Sequence, residues 1–130
     1  MKMALIATAV LAFGASVWAA ETDHLDAVKA ALDGKQTVSC RGCDLSGANL
    51  SLADLAGADL ENANLANADL SGARLVGAKL AGSSLIGANL ISTDLSDADL
   101  SDANLTRAFI RATRFCDTVM PDGRIDNSGC

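Results

Sequence analysis

The sequence has no tyrosine and a single tryptophan, histidine and proline, and only 3% of its 130 residues are aromatic. With Trp18 near the N-terminus, Phe109 and Phe115 are the only Phe, Tyr or Trp side chains after the first twenty residues. A binder of single-stranded nucleic acid needs aromatic platforms in a basic groove. This chain supplies neither, because its 10 Lys and Arg stand against 16 Asp and Glu. With His24 as the one imidazole, a zinc site would need all four thiolates together or a ligand near that histidine. No acid, base and nucleophile converge, and no catalytic residue, cofactor or metal is expected.

Lys2 is followed by an apolar run from Met3 to Ala20, with no charge before Glu21. That is the pattern of a secretory signal peptide. Cleavage after Ala19 places Val17 and Ala19 at the two small-residue positions, whereas cleavage after Ala20 would put the bulky Trp18 there. The run is short and wrongly flanked for a retained membrane anchor. The expected product is exported, periplasmic or secreted, with residues 1–19 removed and no membrane association. It keeps 9 of the 10 basic residues and all 16 acidic ones, so 9 − 16 = −7. Acidity of this size serves ordinary solubility.

What the chain has in abundance is a period. Leu45, Leu50, Leu55 and Leu60 begin a series of leucines every five residues that reaches Leu105 and continues in phase through Ile110, Phe115 and Met120. Apolar residues recur every two in a half-buried strand and every 3.6 in a helix. Five is odd for a strand, and five helical steps rotate a side chain by about 140°. Gly, Ser, Asn and Asp between the leucines favour turns over helix. Fixed-period self-similarity of this kind marks a solenoid. If the chain turns a corner every five residues, each leucine points to a common axis and four corners close one coil. The small residue two before each leucine, Ala48 through Ala78, then also faces inward. The intervening Asp, Asn, Gly, Ser, Lys and Arg face water.

Units such as ANLAN, ADLSG and ADLEN resemble the pentapeptide-repeat family, whose pattern is A(D/N)LXX. The resemblance covers Arg41 to Met120. It implies an all-β solenoid, a right-handed quadrilateral β-helix, here of about four coils. Ser83, Thr93, Thr113 and Thr118 replace the inner alanine, and Phe115 is the one central phenylalanine. At the strand spacing the stack is only roughly 15 to 20 Å long. Its ends expose apolar rungs and open backbone edges that need caps.

Thr22 and Asp23 can N-cap a short helix whose Leu25, Val28 and Leu32 share one face, with Gly34 as a stop signal. Residues 20–40 are therefore read as a cap segment with a short helix over the first coil, residues 41–120 as the repeat, and residues 121–130 as a turn-rich tail. His24 is expected to be a solvated helix residue. The cysteines also sit at the two ends, Cys40 and Cys43 at the start of the ladder and Cys116 and Cys130 at its finish. Bridged cysteines need Cα atoms within about 7 Å, but the ends lie roughly 15 Å apart. The expected pairs are Cys40 with Cys43 and Cys116 with Cys130. A redox role for Cys40 and Cys43 lacks its βαβ setting, and Asp44 stands where a c-type haem site needs histidine.

Stacked in twenties, one outer column reads Asp54, Arg74, Asp94, Arg114 and the next Asp59, Lys79, Asp99. Alternating charge avoids repulsion between neighbours about 4.8 Å apart. The sequons at Asn49 and Asn104 arise from the repeat itself. Val76, Ile86, Ile91 and Phe109 fall at outward positions and form a possible interaction patch.

The expected function is an exported, non-catalytic scaffold or interaction module, with an unidentified protein partner and a monomeric or weakly homo-oligomeric state. Two other readings stand beside it. Gyrase-protecting members of the family, which dimerise end to end, are acidic DNA mimics that bind a topoisomerase, and the acidity here agrees. The other is a thiol-disulfide oxidoreductase working through Cys40 and Cys43.

Overall fold

The computed structural model describes residues 23–130. The expected signal peptide, residues 1–19, lies outside the described residues. The chain opens with helix α1 (Asp23–Asp33), runs through the leucine repeat, and closes in a hairpin of two short antiparallel strands, β1 (Thr118–Val119) and β2 (Ile125–Asp126). Among the described residues, no helix is long and apolar enough to cross a membrane.

The repeat is held by parallel bridges between residues twenty apart. The series runs from Ser39 with Asp59, through Asp44 with Asn64 and Asn49 with Asp69, to Asp99 with Val119. One coil is therefore twenty residues, or four leucine units. The unit around Leu55 shows where each backbone N–H goes. Leu55 donates to the Arg74 carbonyl at 2.7 Å and Gly57 to Val76 at 2.8 Å, both on the next coil. Ala58 donates back to the Leu55 carbonyl at 3.0 Å and closes the corner, while Asp59 donates to Val38 at 2.9 Å on the previous coil. That leaves the amide directly after the leucine, and the side chain just before the leucine takes it: Ala56 N–H donates to Asp54 Oδ1 at 3.2 Å. The same contact recurs at Asn64, Asp69, Asn89, Asp94, Asp99 and Asn104. Where a unit carries Asp or Asn before its leucine, that side chain thus satisfies the one donor that the ladder cannot reach.

Each corner places the second residue after the leucine at positive φ, as at Gly57 (69°), Asn62 (57°) and Gly82 (69°). That region favours glycine and asparagine. It explains why those residues crowd this position.

Leu45 to Leu100 are buried at every unit, with Ala58, Ala63, Ala68, Ala73, Ala78, Ala88 and Ala98 beside them. Full burial of a leucine contributes roughly 1.5 to 3 kcal/mol, so this interior ladder is the main source of stability. The inward assignment needs correction at the C-terminal end. Leu105 is only partly buried and Ile110 is 50% exposed, because among the described residues no further coil packs on them. Phe115 stays buried because the tail crosses it, Gly129 N–H donating to its carbonyl at 2.7 Å.

Helix α1 packs on the first rung through Ala27, Val28 and Ala31, with Leu25 and Leu32 at the edge of the same cluster. Its apolar stripe therefore centres on the alanines between the expected leucines, which lets the helix approach closely. The helix ends with Lys35 N–H on the Leu32 carbonyl at 3.0 Å and Gln36 N–H on Ala31 at 2.8 Å. The left-handed residue of this cap is Lys35 (φ 55°), one beyond the expected Gly34.

Candidate functional site

The four outer columns are built from the residues just before the leucines. Arg74 reaches Asp54 at 3.3 Å, and Arg41 reaches Asp59 at 2.8 Å and Glu61 at 3.0 Å. Arg41 lies at a corner outside the columns, so its pairing was not legible in the spacing. These are solvent-exposed ion pairs worth little each. The aspartates are tuned more by local hydroxyls. At Asp69 the Ser71 hydroxyl, at 2.6 Å, and then the Ser71 amide hold the carboxyl below its ordinary range. Asp99 is lowered in the same way by Ser101. At Asp94 partial burial pushes upward, but the Ser96 hydroxyl and amide, with Arg114 and Arg74, outweigh it. Each carboxylate is stabilised as an anion in a turn, the opposite of what a general acid at neutral pH needs.

The expected patch residues divide. Ile86 is 38% exposed and Phe109 59%, while Val76 and Ile91 are half-buried. Val76 and Ile86 stand two corners apart in a coil of four and do not meet. Ile91 instead shares a shallow depression with Leu52, alongside Ser51, Asp69, Ser71, Gly72 and Ser92. Leu52 is 81% exposed and takes positive φ (61°) at a corner. A Cβ on Gly72, one coil on, would lie 2.6 Å from Leu52 Cδ2, so the leucine lies flat across that glycine. Sequence reasoning missed Leu52; its signal was a leucine out of phase, at the position that elsewhere holds Gly, Asn, Asp or Ser, and once each Arg and Ala.

Cys40 and Cys43 are fully buried on the first rung with sulfurs 1.96 Å apart, and Cys116 and Cys130 lie at the other end with sulfurs 2.03 Å apart. The structure thus brings each pair to disulfide distance. Cys116, Asp117 and Cys130 cluster, but with both sulfurs bonded to each other they offer no thiolate to a metal. His24 corrects the solvated reading: its Nδ1 accepts the Asp44 N–H at 2.9 Å, tying α1 to the first coil.

A repeating corner, a leucine interior and side-chain columns in register define a β-solenoid repeat protein. Pentapeptide repeats match in 8 copies over residues 38–75, 73–111 and 83–120, and the chain belongs to the pentapeptide-repeat family. Its similarity extends to HetL, a pentapeptide repeat protein involved in heterocyst differentiation regulation from Nostoc sp. strain PCC 7120, at 38% identity and TM-score 0.67 over 68% of this chain. The matched region is only 41% of HetL. A second pentapeptide repeat protein of Nostoc PCC 7120 is 32% identical with TM-score 0.63, over 67% of this chain and 71% of its own. One from Cyanothece 51142 is 34% identical with TM-score 0.50, over 58% of each chain. These relatives form right-handed quadrilateral β-helices. No curated protein sequence matches significantly.

Proposed function

We propose that this protein is an exported, non-catalytic scaffold that holds a protein partner against the side of a rigid rod. The rod is a right-handed β-helix of about four coils, capped by α1 at one end and stapled by the two cysteine pairs. The observation that carries the reading is the shallow depression that exposed Leu52 and half-buried Ile91 line together, on coils whose leucine amides already pair with the coil that follows. A surface of this kind is fixed before binding, so little conformational entropy is lost on association. Alternating charge up the Asp54 and Asp59 columns breaks any continuous acidic stripe of the sort a DNA mimic presents. Complete burial of Cys40 and Cys43 argues against thiol exchange with a substrate.

The test joins location to binding. The full chain fused to a reporter active only outside the cytoplasm should give signal, and in-cell cross-linking should yield an adduct lost in Leu52→Asp/Ile91→Asp. A silent reporter rejects export, and an unchanged adduct rejects the depression. Inhibition of a topoisomerase by the purified protein would support the DNA-mimic reading instead, and catalysed reduction of insulin the oxidoreductase.

A further inference from the structure

The ladder stops unevenly at its C-terminal end. The tail covers the last two corners: Gly129 N–H donates to the Phe115 carbonyl, and Asn127 Oδ1 accepts the Asp117 N–H at 2.6 Å. The two corners before them are left open. In every earlier coil the leucine amide and the amide two residues on donate to the next coil. Among the described residues, the amides of Leu105, Arg107, Ile110 and Ala112 have no backbone acceptor, and the carbonyls of Ala103, Ala108 and Thr113 have no donor from beyond. Ile110 and Phe109, at 50% and 59% exposure, lie on this same edge.

The charge changes sign here too. Residues 105–120 hold Arg107, Arg111 and Arg114 against Asp117, so 3 − 1 = +2, in a chain of net −6. The three arginines are exposed, and none is in an ion pair among the described residues. A head-to-head second copy would set these arginines against their equals. A head-to-tail copy would meet α1, which already covers the opposite end.

We infer that this open rung, residues 105–112, binds an acidic segment of a partner protein that follows the coil's path over it and pairs with its free backbone edge as one more rung. The twenty-residue register specifies the segment. An apolar residue lies over Ile110, an acidic residue three before it over Arg107, an acidic residue one after it over Arg111, and a small residue two before it over Ala108. Backbone pairing gives the segment its place, and the arginines and Ile110 select its side chains. The inference rests on the reading of the protein as a partner-binding scaffold, and it names a second surface and the chemistry it takes.

The test is a fluorescence titration of the oxidised protein with a ten-residue labelled peptide carrying two tandem units of acidic, alanine, asparagine, leucine, acidic. A lysine-for-acid version serves as the control. Saturable binding should weaken at least about tenfold in Arg107→Glu/Arg111→Glu and fall with added salt. Both substitutions are exposed, and an unchanged melting curve will show that the fold survives. Equal binding of the lysine peptide, or no binding of the acidic one, overturns the inference. So does a concentration-dependent dimer abolished by Ile110→Asp, which assigns the rung to a second copy. Sedimentation with anionic vesicles in the absence of peptide binding assigns it to a membrane and overturns it as well. A cross-linked partner lost only in Leu52→Asp/Ile91→Asp would defeat the inference while leaving the scaffold reading intact.

Discussion

The Thr93 hydroxyl donates to the Leu70 carbonyl of the previous coil at 2.7 Å, inside a fully buried core. Thr113 to Leu90 and Thr118 to Leu95 repeat the contact at the same separation of 23 residues. Ser83 holds the equivalent inner position, yet its buried Oγ has no partner. Ser83→Ala should therefore raise stability by about 1 kcal/mol by removing an unpaired buried hydroxyl, while Thr93→Val should lower it by about the same amount. Urea unfolding of the two variants checks the opposite signs; a stabilising Thr93→Val would reject the account.

Gly82 separates backbone strain from steric contact. Its φ of 69° matches the 68° of Gly77, but a Cβ at Gly82 would strike Asn62 Oδ1, whereas one at Gly77 meets nothing within 4 Å. Gly77→Ala should cost about 1 to 2 kcal/mol from the left-handed backbone alone. Gly82→Ala should cost more, and Asn62→Gly/Gly82→Ala, which removes the clash without adding left-handed strain at Asn62, should return to about the Gly77→Ala level. Thermal melts of the three variants decide it.

At α1, the left-handed cap residue is Lys35. Lys35→Gly relieves its backbone cost and should stabilise the N-terminal cap by about 1 kcal/mol, while Gly34→Ala should not reproduce the gain. Hydrogen exchange at Ala27 to Ala31 reports the difference.

The turn aspartates predict a pH dependence of one sign. Asp69, Asp94 and Asp99 are held below their ordinary range in the fold. Their contribution is therefore complete above the unfolded value of about 4 and is lost as pH falls through the lower folded values. Melting temperature should be flat near neutrality and decline below about pH 4. Ser71→Ala/Ser96→Ala/Ser101→Ala should flatten that decline, and an unchanged acid limb would reject the assignment.

Cys116 and Cys130, 14 residues apart, close the tail over Phe115. In the chain-entropy model a loop of this size contributes about 3 kcal/mol. Cys130→Ser should loosen the hairpin and expose Phe115, while amides from Leu55 to Leu90 stay protected from exchange. Uniform loss of protection would mean that the tail holds the whole stack.

A leucine every five residues, with a small residue two before it, was enough to determine the interior and the four-cornered coil, because every unit repeats the same local demand. One corner amide needs a side-chain acceptor and one corner residue needs positive φ, and both are written within five residues. The relationships that decide the ends and surfaces join residues with no shared local rule. Ile110 has the inward phase of every leucine before it but is exposed, since burial depends on a neighbouring coil and, among the described residues, none lies over it. Leu52 breaks the five-residue phase, and only the stacking of coils sets it across Gly72 and at the depression that Ile91 also lines. His24 meets Asp44 only because α1 folds back over the first rung. Periodicity speaks for contacts that recur at a fixed separation, whereas caps, edges and corner patches depend on what one particular coil finds next to it in space.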